Sequence, residues 1–82
     1  MTKVRILTPE WNRSFEAEAI FLPGALGEFE ILTGHAPIIS ALTAGTIRWR
    51  SGEKEDSLKV SGGVARLDGG VLDICTAPGD DK

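Results

Sequence analysis

Short stretches of alternating apolar and polar residues, rather than any helical period, organise this chain. Val4 and Ile6 alternate with Lys3 and Arg5, and Phe15, Ala17, Ala19 and Phe21 alternate with Ser14, Glu16, Glu18 and Ile20. Ile47 and Trp49 flank Arg48, while Leu58 and Val60 flank Lys59. A period of two puts every second side chain on the same side of a strand, so each stretch predicts a strand with one covered face. Ile47, Trp49, Leu58, Val60, Leu67, Leu72 and Ile74 are the expected inward positions. The run Val71-Leu72-Asp73-Ile74-Cys75 reads as covered more fully.

Turn chemistry falls between these stretches. Gly69-Gly70 can take the positive backbone angles of a two-residue hairpin turn, which predicts that residues 64–68 and 71–75 are antiparallel neighbours. The polar segment Ser51-Gly52-Glu53-Lys54-Glu55-Asp56 predicts a longer loop joining residues 46–50 to 57–60. One helical turn is expected, over residues 37–42. Short strands with frequent turns in a chain of 82 residues predict an all-β fold, a flattened β-sandwich or barrel forming one domain.

Composition narrows the function. Nine basic against twelve acidic residues give a net charge of -3, opposite in sign to a surface that binds phosphate backbones, so nucleic acid is not an expected partner. Cys75 is the single cysteine, which leaves neither an internal disulfide nor a CxxC pair. No apolar run reaches the ~18–20 residues of a membrane-spanning helix, and a soluble, cytoplasmic chain is the expectation. His35 is the single histidine and has no second histidine or cysteine at metal-ligand spacing; no metal and no cofactor are expected. Ser40 and Ser61 lie outside any nucleophile-elbow sequence, so no catalytic residue is assigned. Glu28 and Glu30 flank Phe29 and would share one face of a strand, as a solvated edge or a charged contact surface. Trp11 reads as a partly covered loop aromatic.

Five motifs in order carry a family resemblance: Ile6-Leu7-Thr8-Pro9-Glu10; Leu22-Pro23-Gly24 through Gly27-Glu28-Phe29; Gly34-His35-Ala36-Pro37; Gly45-Thr46-Ile47-Arg48; and Val60-Ser61-Gly62-Gly63-Val64. Together, from about Val4 to Cys75, they resemble the epsilon subunit of F-type ATP synthase. The resemblance implies a β-sandwich of about ten short strands. It also implies a non-catalytic rotor subunit of the central stalk, which binds the gamma subunit and the polar loops of the c-ring and helps couple proton flow to ATP synthesis. Location would be peripheral, on the cytoplasmic face of the bacterial inner membrane. By motif, the c-ring-facing position falls on Glu28, with Phe29 and Glu30 beside it, and the gamma or rotor contact on Thr8, His35 and Ser40. His35 is expected to pack beside Pro37.

The chain departs from the family pattern at Thr33, where proline is common, and at Glu30, where glycine is common. Residues 76–82 read as a short flexible tail, so the helical hairpin that restrains ATP hydrolysis in the family is not expected here. The competing reading is a stand-alone β-sandwich that binds another protein without a rotary role.

Overall fold

The computed structural model describes residues 1–79, Pro78 through its backbone, and all of its regular elements are strands. They are β1 (Thr2–Leu7), β2 (Asn12–Ala17), β3 (Ala19–Gly24), β4 (Gly27–Leu32), β5 (Ile38–Leu42), β6 (Gly45–Ser51), β7 (Lys54–Asp68) and β8 (Val71–Pro78). Hydrogen bonding follows the order β2-β1-β8-β7-β5-β3-β4, with β6 between β3 and β7. The first half of β7 pairs with β6 and the second half with β5 and β8. One layer of the sandwich is therefore β2-β1-β8-β7-β5, the other is β4-β3-β6-β7, and β7 belongs to both. Eight strands are described, close to the ten or so expected, and β7 alone does the work of two.

The bend in β7 explains the Val60-Ser61-Gly62-Gly63 motif. Val60 faces Pro78 and Gly63 faces Thr76, so three steps on β7 match two on β8, a one-residue bulge. Inward positions shift phase across it, from Leu58 and Val60 to Ala65 and Leu67. Without the extra residue one half of β7 would turn its apolar side chains to solvent. Gly62 and Gly63 have φ of 133° and 145°, angles that L side chains rarely adopt. The Thr76 hydroxyl donates to the Gly62 carbonyl and holds the bulge.

The core lies between the layers. Val4, Ile6, Ile20, Leu22, Ile31, Ile47, Leu72 and Ile74 are fully buried, and Trp49, Val60, Ala65 and Leu67 complete the packing. All the expected inward positions are covered, Leu58 only partly. The Gly69-Gly70 hairpin forms as the alternation predicts, with Asp68 opposite Val71.

Five expectations are corrected. Residues 38–42 are strand and not a helical turn, because Ile38 through Leu42 pair one by one with Leu67 through Gly63. The loop over residues 51–56 is tighter: Trp49 faces Asp56, Arg50 faces Glu55 and Ser51 faces Lys54, leaving Gly52-Glu53 as the turn. The alternation from Phe15 to Phe21 does not run through. At Glu18, whose N–H donates to Arg50, the chain crosses between layers, and Ile20 and Leu22 enter the core while Phe21 turns outward. Thr76 through Pro78 extend β8 rather than begin a tail, and Cys75 is exposed where fuller cover is expected. Asp80 to Lys82 lie outside the described residues.

Candidate functional site

The outer face of the β4-β3-β6 layer carries the Glu28 and Glu30 pair. In β4, Ile31 is buried and Phe29 packs against the core, so Glu28 and Glu30 point outward. Phe29 does not share their face. Its ring fills the space that Gly24 leaves open: a Cβ at residue 24 would lie 2.8 Å from the ring carbons. Gly24 also closes the β3–β4 hairpin opposite Gly27, and Leu26 stands fully exposed at the tip.

Across this face Phe21 lies directly opposite Glu30 on one side and Arg48 on the other. The Arg48 guanidinium sits 4.8 Å from the centre of the Phe21 ring and donates to both Glu28 carboxylate oxygens, at 3.3 and 3.4 Å. Arg48 and Glu28 are each about half exposed, so the pair is solvent-screened. Among the described residues no partner for the Glu30 carboxylate occurs.

The outer face of the other layer is built differently. A charge ladder crosses it: Arg5 grips Asp73 with two bonds of 2.5 and 2.7 Å, and Arg66 stands opposite Asp73 and 3.6 Å from Asp68. Hydrogen bonding from Arg5 holds the Asp73 carboxyl below its ordinary 3.8, against a smaller effect of burial. The next row is uncharged. Leu7 faces Cys75, Cys75 faces Val64 and Val64 faces Ala41, so an apolar row runs from β1 to β5. Val64 and the neighbouring Ile39 are exposed.

Thr8 follows Leu7 at one end of that row and Ser40 precedes Ala41 at the other, so the topology brings these two residues to one layer. Thr8 closes a turn: its hydroxyl donates to the Trp11 carbonyl at 2.7 Å and accepts from the N–H groups of Trp11 and Glu10. The Ser40 side chain lies in the inward phase of β5 with Ile38 and Leu42, half-buried, its hydroxyl 3.3 Å from the Ala41 carbonyl. His35 belongs with neither. It follows β4 at the end away from Glu28, is exposed, and its Nδ1 lies 2.7 Å from the Ala36 carbonyl. Trp11 is about one-third exposed, as a partly covered loop aromatic should be.

Sequence reasoning singled out neither Arg48 as the partner of Glu28 nor the Leu7-Cys75-Val64-Ala41 row. Both depend on which strands lie side by side, although the outward phase of Arg48 was readable from Ile47 and Trp49.

Comparison with known proteins agrees with this architecture. A relative named ATP synthase epsilon chain, from Gloeothece citriformis, is 40% identical over 74 residues, covering 87% of this chain and 52% of the relative. A chain in a structure of the Euglena gracilis mitochondrial ATP synthase that includes the c-ring aligns with a TM-score of 0.82 at 27% identity, over 89% of this chain and 48% of that one. A chain of the Tetrahymena thermophila central stalk and c-ring shares the fold, with a TM-score of 0.78 at 14% identity over 92% of this chain and 62% of that one. The chain spans about half the length of the curated relatives it matches. Residues 1–77 match the family described as ATP synthase, Delta/Epsilon chain, beta-sandwich domain. With nearly the whole described chain inside that match, the protein belongs to the ATP synthase delta/epsilon chain beta-sandwich domain family.

Proposed function

We propose that this chain is the sandwich domain of a rotor subunit in an ATP synthase, a non-catalytic part of the central stalk. The family match over residues 1–77 carries the reading. The Euglena gracilis relative in an assembly with the c-ring supports it. In this role the domain binds the gamma subunit and the polar loops of the c-ring, and helps transmit proton-driven rotation to the catalytic head. It is peripheral to the membrane and held there through the complex, on the cytoplasmic face of a bacterial inner membrane.

The two outer faces differ in a way that suits two partners. Glu28 and Glu30 form a polar, charge-bearing face appropriate to the polar loops of a c-ring. The row Leu7-Cys75-Val64-Ala41 is an apolar strip, flanked by the charge ladder, on which a protein such as gamma could bury area. Thr8 and Ser40 contribute to that second contact by shaping its ends, the turn after β1 and the course of β5. His35 supplies a separate, exposed contact on the loop after β4.

ATP-driven proton pumping tests the proposal. Inverted membrane vesicles from cells lacking this chain should hydrolyse ATP without acidifying their interior, and adding the purified chain should restore acidification. Equal acidification with and without the chain would count against a rotor role.

A further inference from the structure

On the outer face of β4, β3 and β6, two carboxylates and one guanidinium surround a single aromatic ring. Phe21 lies between Glu30 and Arg48 in one cross-strand row. Directly opposite residues are the shortest cross-strand neighbours, with diagonal ones further away but still within reach of a long side chain. Arg48 nevertheless leans over the Phe21 ring, 4.8 Å from its centre, and bonds diagonally to both oxygens of Glu28. The ring fixes the planar guanidinium in this direction, since arginine stacks on aromatic faces while its edge still donates to a carboxylate. Glu30, in the same row as the ring, is left without an ion pair among the described residues.

We infer that Arg48 is a positioning residue that neutralises Glu28 and leaves Glu30 as the available anion of this face. The inference rests on the rotor reading above, in which this face meets the c-ring, and it specifies the partner's chemistry. The loop that docks here brings a basic side chain toward Glu30, while Glu28 is already satisfied within the sandwich. A donor engaging Glu28 would share a carboxylate whose charge Arg48 already offsets, and so would gain less there than at Glu30. A partner with an acidic loop would meet a free carboxylate and be repelled.

Two measurements on the full chain test this. The first needs no partner: carbodiimide coupling of glycine ethyl ester at fixed pH, with the rate at each carboxylate followed by fragment mass spectrometry. Glu30 should react roughly two- to fivefold faster than Glu28, the range set by a half-exposed ion pair. The difference should vanish in Arg48→Gln while the folded state, checked by circular dichroism, is retained. Equal rates in the unaltered chain, or a difference that survives Arg48→Gln, would overturn the masking of Glu28.

The second measurement is association of the chain, together with gamma, with detergent-purified c-ring across a range of KCl concentrations. Glu30→Gln should weaken association and flatten its salt dependence more than Glu28→Gln, and Arg48→Gln should steepen that dependence by releasing Glu28. A larger loss with Glu28→Gln would overturn the assignment of Glu30. No association of the unaltered chain at any salt would instead overturn the rotor reading and the c-ring part of this inference, with the masking of Glu28 still decided by the coupling rates.

Discussion

The backbone of Gly63 packs against the carbonyl of Cys75 so closely that a Cβ at residue 63 would collide with that oxygen, and with Thr76 beyond it. Gly63 also has φ of 145°. Steric conflict with backbone and an unfavourable dihedral act together here, at the point where β7 changes layers. Gly63→Ala should cost about 2–4 kcal/mol. Gly52→Ala, in the β6–β7 turn with φ of 63° and nothing near its Cβ, should cost only about 1 kcal/mol. Urea denaturation of the two variants checks the order, and a Gly63 variant no less stable than the Gly52 variant would contradict it.

The two layers are also tied by an aromatic clamp. Phe15 on β2 stacks on Trp49 on β6, ring centres 4.6 Å apart, and the Arg13 guanidinium lies 5.4 and 5.3 Å from the two rings. Arg13 reaches Asp56 on β7 at 3.3 Å. A double-mutant cycle on Phe15→Leu and Trp49→Leu should return a coupling of about 0.5–1.5 kcal/mol. Asp56→Ala, removing an exposed and solvent-screened ion pair, should change stability much less. Thermal melts of the single and double variants decide both.

Acid should weaken the fold through Asp73. Arg5 depresses its carboxyl in the folded state, so the stabilisation is present above the unfolded value of about 4 and is lost as pH falls through the folded value. Asp56, lowered first by the Ser57 N–H and then by Arg13, acts in the same direction. Stability measured from pH 7 down to pH 2 should fall in the native chain, and Asp73→Asn should be less stable at pH 7 with a shallower fall. An identical slope in the variant would remove Asp73 from the acid response.

Thr8 separates a structural from a contact role. Its hydroxyl serves three bonds within the Thr8–Trp11 turn, so Thr8→Ala should cost about 1 kcal/mol, whereas Thr8→Ser, which keeps the hydroxyl, should cost much less. Gamma binding should follow the same order, because the turn shapes the end of the apolar row. Calorimetric titration with gamma checks it, and weakened binding in Thr8→Ser at unchanged stability would point to direct contact.

Where alternation was clean, the sequence was legible. Val4, Ile6, Ile47, Trp49, Leu72 and Ile74 turn inward as their spacing predicts, because a period of two leaves a strand only one way to bury them. β5 is not legible, because Pro37-Ile38-Ile39-Ser40-Ala41-Leu42 alternates poorly and its order comes from pairing with β7, far along the chain. The Phe15–Phe21 stretch departs from its alternation for a related reason: the crossing at Glu18 shifts the phase, and no turn residue marks it. Glu28 and Glu30 share one face, as the period of a strand requires, but the Arg48 contact is not legible. It spans 20 residues and depends on β3 lying between β4 and β6.

The most direct test of the rotor reading is the chain's place in the assembled synthase, read by cryo-electron microscopy of the complex purified through a tag on this chain. The tag should recover gamma and the c-ring. The sandwich should sit at the foot of the central stalk, the β4-β3-β6 face toward the polar loops and the Leu7-Cys75-Val64-Ala41 row against gamma. Recovery of the chain without gamma or c-ring, or a sandwich bound outside the central stalk, would contradict it.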